Sequence, residues 1–225
     1  MKTGDLWGVN VPTVSEYAEL GVFFRRETGE RCEVCKSLLG PRVQQARVEW
    51  TPGSDKVADF TFAGARLIAK AHVANQIRTQ FPEVGTRPIE IADLPENYRP
   101  AKLSKKAEPR IWLPYNGPEL VELIPLKQVD LEPTSTVEIK ARCEKCGAIE
   151  YRSFGNVERF KGGKLVPRQP GSGLRLSRRE MNAAHLVQPR YTGLYLCDQV
   201  FRNFIEAMKF TNIAFLDYGE IVEQE

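Results

Sequence analysis

The sequence has no long apolar run, few histidines and no phosphate-binding loop, features on which several protein classes depend. No apolar stretch approaches the roughly 20 residues that a membrane-spanning helix requires. The chain has only two histidines, and no serine or cysteine lies in a nucleophile setting from which a catalytic triad could be assembled. The Gly-Ser-Gly stretch at 171–173 is not followed by the lysine and hydroxyl residue of a phosphate-binding loop. We therefore expect a protein that is not an enzyme.

Charge and composition also exclude some partners. The net charge is only +3, so no strong overall field attracts nucleic acid or an anionic membrane. The first residues carry no apolar run after Lys2, which predicts no signal peptide and a cytoplasmic protein. With 225 residues, 42% of them hydrophobic, the chain can bury a true core without cross-links. Paired cysteines in such a protein indicate metal or redox chemistry rather than disulfides.

What the sequence does have is two CxxC pairs, in "CEVCK" and "CEKCG", more than a hundred residues apart. A CxxC turn supplies two thiolates with the correct spacing for a tetrahedral metal, and two turns complete an all-cysteine shell. The sequence therefore predicts one structural Zn²⁺ per chain, held by Cys32, Cys35, Cys143 and Cys146. Gly147 suits the backbone of such a knuckle, whereas Lys36 occupies the corresponding position in the first pair.

Three other interpretations of the cysteines stay open at this point. A redox CxxC normally begins a helix, but Gly40 and Pro41 follow the first pair closely and the second pair leads into a strand-like stretch. A disulfide framework would need an oxidising compartment. The two pairs could also form separate half-sites. Cys197, in an apolar stretch, is expected to be a buried free thiol.

The pattern of apolar residues predicts an α+β fold made of two similar halves. In each half, short antiparallel strands carry a CxxC zinc knuckle, and an amphipathic helix and a strand follow. Five prolines between 95 and 118 mark an extended linker. We therefore divide the chain into an N-terminal half (1–95), a proline-rich loop (96–118) and a C-terminal half (119–225), packed as one compact unit. Helical spacing and capping predict helices over 64–80 and 178–187, and "LCDQVFRNFIEAMKF" predicts another, with Val200, Phe201, Phe204, Ile205 and Met208 on one face.

The two motifs and the ending "CDQVFRNFIEAMKFTNIAFLDY" resemble the double-CXXCG motif family of bacterial immunity proteins. The resemblance covers roughly residues 20–220, with Lys36 in place of the glycine that the family has after its first pair. It implies a protein that binds and neutralises a cognate antibacterial toxin in interbacterial competition. In some similar systems the toxin is a nuclease, including enzymes of the VRR-Nuc type. Cys32, Cys35, Cys143 and Cys146 match the family's motif positions.

For toxin binding, we expect a monomer that forms a 1:1 complex and occludes the toxin's active site. Aromatic residues of the proline-rich loop are candidate anchors: Tyr98, Trp112 and Tyr115. Acidic residues around the loop could face a basic nuclease cleft: Glu90, Asp93, Glu96, Glu119 and Glu122.

The alternative function is that of a zinc-ribbon nucleic-acid-binding regulatory protein. The stretch "RSFGNVERFKGGKLVPR" interleaves aromatic and basic residues, which is the composition that single-strand binding requires. The aromatic residues are Phe154 and Phe160, and the basic ones are Arg152, Arg159, Lys161, Lys164 and Arg168.

Overall fold

The computed structural model describes residues 2–12, 16–17, 19–22, 30–39, 46–51, 56–91, 115–161 and 164–223. Strands dominate, with a few short helices. In chain order the first elements are β1 (Lys2–Asn10), β2 (Glu19–Val22), β3 (Ala46–Thr51), β4 (Phe60–Ala63), β5 (Arg66–Lys70), α1 (Ala71–Gln80), β6 (Val84–Ile91), β7 (Leu120–Pro125) and β8 (Gln128–Val129). The remaining elements are β9 (Glu138–Arg142), β10 (Ile149–Ser153), β11 (Arg159–Lys161), β12 (Lys164–Val166), β13 (Leu174–Ser177), α2 (Arg178–Met181), β14 (Leu186–Pro189), β15 (Leu196–Cys197), α3 (Gln199–Met208) and β16 (Ala214–Val222).

Two six-stranded sheets form the body of the protein. Sheet I has the order β13-β16-β1-β15-β14-β8, and sheet II has the order β2-β3-β6-β7-β5-β4. The hairpins β9–β10 and β11–β12 form two further two-stranded sheets. The α+β class predicted from the sequence is therefore confirmed in its coarse form, as a fold of mostly strands with few helices.

The two large sheets share one connection pattern. In sheet II the hairpin β4–β5 leads through α1 to β6, with β7 between β5 and β6; in sheet I the hairpin β14–β15 leads through α3 to β16, with β1 between β15 and β16. Each strand that follows a helix also pairs in parallel with an earlier strand, β3 in sheet II and β13 in sheet I. Strands β7 and β1 thus occupy corresponding places, although they come from opposite sides of the proline-rich loop.

This exchange of strands means that the predicted halves do not coincide with the sheets. Strand β1, from the predicted N-terminal half, lies in sheet I among strands of the C-terminal half. Strand β7, from the predicted C-terminal half, lies in sheet II. The division into two halves, each with its own helix, is not confirmed.

The largest buried cluster contains residues of both sheets together with both ten-residue helices. Phe81, which follows α1, lies with its ring 5.0 Å from that of Phe201 and 5.3 Å from that of Phe204 on α3. Asp198 caps the N-terminus of helix α3, and its carboxylate accepts hydrogen bonds from the N–H groups of Val200 and Phe201. Packing and capping together therefore fix the two helices against one core.

Two helices predicted from the sequence are wrong in part. The segment predicted as a helix over 64–80 includes a turn and β5 before Ala71, and only Ala71–Gln80 is helical. The helix predicted over 178–187 ends at Met181, because Asn182 and Ala183 adopt positive φ angles of 47° and 64°. No helix among the residues that the structure describes is long and apolar enough to cross a membrane.

Candidate metal centre

The four predicted cysteines converge on one point. Their Sγ atoms all lie within 4.8 Å of one another, and all four thiols are free. Between the turns, the Sγ atoms of Cys32 and Cys143 lie 3.8 Å apart and those of Cys35 and Cys146 lie 3.5 Å apart. Four sulfurs placed tetrahedrally about 2.3 Å from a metal lie about 3.8 Å apart. The cluster therefore has the dimensions of a tetrahedral shell for a single ion.

The two CxxC turns have the same backbone hydrogen bonds. In the first turn, Lys36 N donates to Cys32 O and Cys32 N donates to Ser37 O, both at 2.9 Å. In the second turn, Gly147 N donates to Cys143 O and Cys143 N donates to Ala148 O, both at 2.8 Å. Each cysteine pair is therefore presented by the same tight turn.

The residue after each CxxC pair adopts the left-handed conformation. The φ angle is 62° at Lys36 and 72° at Gly147. This conformation costs an L-residue roughly 1–2 kcal/mol, whereas glycine adopts it freely. The side chain of Lys36 donates to Glu33 O at 2.7 Å, and Arg31 donates to Lys36 O at 2.8 Å. These bonds hold a strained lysine in the conformation that the turn requires.

Exchanging the residue type at these two positions is expected to change stability in opposite directions. Lys36→Gly should raise the free energy of unfolding by up to about 1 kcal/mol, because it relieves the left-handed strain. Gly147→Ala should lower it by about 1 kcal/mol or more, and a Cβ at this position meets nothing within 4 Å, so the change tests strain alone. Urea unfolding of the two metal-loaded variants measures both values. Destabilisation by Lys36→Gly as large as that by Gly147→Ala would contradict the strain at Lys36.

Different elements position the two turns. The first turn lies in the segment 30–39, which is closed by the bridge between Arg31 and Leu38 and by a bond from Leu39 N to Glu30 O. The second turn joins β9 to β10. An ion pair between Glu33 and Lys145 links one turn to the other. Sequence reasoning missed this pair, although both residues lie inside CxxC motifs.

Hydrogen bonds to sulfur favour thiolates in the first turn. The N–H of Cys35 donates to the sulfur of Cys32 and lowers the pKa of that thiol. The hydroxyl and N–H of Ser37 lower the pKa of Cys35 to about 6. In the second turn the N–H of Ala148 acts in the same direction on Cys146, but burial and the three neighbouring sulfurs raise the pKa of Cys146 to about 12. A divalent cation would offset the mutual repulsion of four thiolates at this spacing.

Cys197 lies apart from this cluster, within the core. It is fully buried at the end of β15, and burial raises the pKa of its thiol well above the usual value. His72 is exposed on α1. His185 Nδ1 lies 2.9 Å from the carboxylate of Asp198 and so helps to fix the residue that caps α3. Asp198 is a structural residue that sequence reasoning missed.

The structure describes only some of the predicted toxin-binding residues. Asp93, Glu96, Tyr98 and Trp112 lie outside the described residues. Glu90 and Glu119 are exposed, and Glu90 forms an ion pair with Arg47 at 3.2 Å.

Two of the candidates near the loop are engaged within the protein: Tyr115 is partly buried and Glu122 is buried. Tyr115 packs against the core of sheet II, and its hydroxyl donates to the carbonyl of Pro118; burial raises the pKa of Tyr115 to about 12. Glu122 is 5% exposed and pairs with Arg66 at 2.9 Å. The expectation that Glu122 faces a partner is therefore wrong, because its carboxylate is used within the core.

The fold and the cluster define a mixed α+β protein with a four-cysteine site that can hold a single metal ion. No protein-family model and no curated protein sequence matches the chain.

Proposed function

We propose that the protein is a cytoplasmic, non-enzymatic immunity protein that binds and neutralises a cognate antibacterial toxin and is held together by one structural zinc ion. The main support is the convergence of two distant CxxC pairs into one four-cysteine cluster that can hold a tetrahedral ion. The same four positions carry the resemblance to the double-CXXCG immunity proteins. A binding protein of this kind requires a rigid surface more than a reactive group.

Zinc is the metal that fits the donor set best. Thiolate ligands select zinc, copper(I) or iron–sulfur chemistry over magnesium or calcium, and a single tetrahedral Cys₄ shell is the usual structural zinc site. With four protein ligands no position is open for water, so the ion would support the fold rather than take part in a reaction. Its contribution would be to attach the segment 30–39 to the β9–β10 hairpin.

The shared connection pattern of the two sheets supports the proposal of an internal duplication. In both sheets a hairpin, a helix and a following strand occur in the same order. Each unit is preceded along the chain by one CxxC turn. On this proposal the two CxxC turns are equivalent parts of the two repeated units. The two turns contact each other at the four-cysteine cluster.

Toxin binding is proposed to use the acidic residues beside the proline-rich loop. Glu90 and Glu119 lie at the ends of the described segments that flank this loop, and both are exposed. Tight protein complexes bury on the order of 800 Å² on each partner. The loop with its flanking residues is long enough to supply such a surface against a basic cleft.

Co-expression with a toxin encoded beside the gene tests this function. We expect the protein to restore growth of bacteria that produce the toxin and to co-purify with it in a 1:1 complex. Glu119→Lys should weaken the complex roughly tenfold or more, because it reverses a charge in the contact surface. Glu223→Lys, a reversal at another exposed glutamate, is the matched control.

The proposal fails if the folded, metal-loaded protein neither binds the toxin nor protects the cells. If Glu119→Lys and Glu223→Lys protect equally well while the wild-type complex forms, toxin binding stands but its assignment to this surface is wrong.

A further inference from the structure

The hairpin β11–β12 is a small amphipathic element with no core of its own. Its register places Phe160 opposite Leu165, Arg159 opposite Val166 and Lys161 opposite Lys164. Directly opposite residues share a face, so Phe160 and Leu165 lie on one face and the basic residues on the other. Phe160 is 56% exposed and Leu165 51% exposed. The hairpin therefore presents an aromatic ring to solvent.

The positive charges of this hairpin are available for binding. Arg159, Lys161 and Lys164 are exposed, and no ion pair joins them to another residue in the part of the chain that the structure describes. No acidic residue occurs between positions 159 and 168. The hairpin is thus a local concentration of positive charge on a chain of nearly balanced charge.

The other residues of the same basic and aromatic stretch are engaged within the protein. Arg152 pairs with Glu138 at 2.9 Å, and Arg168 is largely buried and pairs with Asp217 at 2.7 Å. Phe154 packs against the core of sheet I and against Tyr151 at 5.1 Å. The structure therefore separates the residues of the sequence stretch into an internal set and an available set, and the available set lies on one hairpin.

The base of the hairpin is firmly attached to sheet I. Glu158 N donates to Asp217 O, and Asp217 N donates to a carboxylate oxygen of Glu158, both at 2.8 Å. Arg168, just beyond β12, donates to the Asp217 carboxylate. An isolated two-stranded hairpin is marginally stable in water, and these bonds fix its orientation on β16. The base of the hairpin that carries the exposed residues is therefore held in place before any ligand binds.

We propose that this hairpin is a binding site for single-stranded nucleic acid, independent of the toxin-binding function. A base stacks on Phe160, and phosphates of the same strand contact Arg159, Lys161 and Lys164. An extended hairpin is only two strands wide, so lysine and arginine side chains from the opposite face can reach its edge. An acidic protein is the less suitable ligand, because six residues offer far less than the roughly 800 Å² per partner of a stable protein interface. A single base needs only one exposed ring and neighbouring positive charge.

The size of the site fixes the strength of its salt dependence. Three phosphate contacts to a single strand predict a slope of about −2 for log K against log salt concentration. Affinity should therefore fall about 20-fold between 50 and 200 mM KCl. Stacking on one aromatic ring contributes roughly 1–3 kcal/mol, so Phe160→Ala should weaken binding by about 5- to 150-fold.

The test measures fluorescence anisotropy of a labelled 20-residue oligothymidylate with the full-length, metal-loaded protein. Phe160→Tyr should bind like the wild type, because it keeps the stacking ring, whereas Phe160→Ala should lose affinity as stated. Arg159→Ala should weaken binding and reduce the magnitude of the salt slope by about 0.7. Arg179→Ala removes the same charge from another exposed site and should leave both unchanged.

Four results would overturn the proposal. One is absence of oligothymidylate binding at 50 mM KCl; another is equal binding by Phe160→Ala and the wild type. Equal effects of Arg159→Ala and Arg179→Ala would assign binding to overall charge. The last result is that poly-L-glutamate binds the wild type as strongly as oligothymidylate does and that Phe160→Ala loses this binding. It would assign the hairpin to an acidic protein partner instead.

Discussion

Replacing Cys146 with serine is expected to abolish stoichiometric metal binding and to lower the free energy of unfolding by about 4 kcal/mol under metal-replete conditions. The sulfur of Cys146 lies 3.5 Å from that of Cys35 in the cluster. A hydroxyl is a much poorer ligand than a thiolate for the metals that such a cluster binds. A metal that binds only the folded state stabilises it by about 4 kcal/mol when its free concentration is 1,000 times Kd. Removal of the metal from the wild type by a chelator should have the same effect.

Elemental analysis, a count of reactive thiols and urea unfolding together measure this result. The wild type should contain one metal per chain, and elemental analysis distinguishes zinc from iron. Cys197→Ala is the matched control, because it removes a thiol outside the cluster and should leave the metal content unchanged. One metal per chain in Cys146→Ser would contradict the four-cysteine site, and iron in place of zinc would contradict the proposed metal alone.

The second large effect is expected at the buried ion pair of sheet II. Glu122→Ala should lower the free energy of unfolding by about 3–5 kcal/mol, because it removes the carboxylate that compensates a buried guanidinium. The side chains of Arg66 and Glu122 are only 9% and 7% exposed, and Arg87 lies 3.8 Å from the same carboxylate. The pair joins β5 to β7, and β7 is the first strand after the proline-rich loop.

Two further variants test whether the expected loss of stability arises from the burial of the Arg66–Glu122 pair and not from the loss of any ion pair. Glu150→Ala breaks the exposed pair with Lys140, whose side chains are 56% and 59% exposed, and should cost less than about 1 kcal/mol. The double variant Arg66→Met with Glu122→Leu should recover most of the loss, since apolar residues of similar volume often replace a buried pair without destabilisation. Equal losses in Glu122→Ala and Glu150→Ala, measured by urea unfolding, would contradict this account.

Local features of the sequence predicted correctly which four cysteines form one cluster. A CxxC turn depends on a few consecutive residues, so the spacing of the cysteines and the glycine at 147 are visible without a structure. Helix α3 was also visible, because its apolar residues recur at helical spacing and it packs on one face only. At Lys36 the local signal was incomplete: the lysine adopts the conformation of glycine at φ 62°.

The segment 64–80 shows where periodicity alone is ambiguous. Leu67 and Ile68 fit a helical pattern together with Ala71, Ala74 and Ile77. However, Leu67, Ile68 and Ala69 are all buried, because the two faces of β5 pack into different buried clusters, Leu67 and Ala69 in one and Ile68 in the other. A short strand buried on both faces has no alternation to distinguish it from a buried helix.

The sequence by itself determined the elements that depend on neighbouring residues: two CxxC turns, the amphipathic helix α3, the strand-rich composition and the basic stretch around Phe160. Only the tertiary structure decided which distant elements meet. In the folded chain β1 pairs with β16 and β7 pairs with β6. The two CxxC turns meet, and Glu122 lies in the core. The tertiary structure also leaves Phe160 exposed while packing Phe154. Strand pairing and burial depend on contacts between residues far apart in the chain, and a local pattern does not specify which of two similar aromatic or acidic residues is covered.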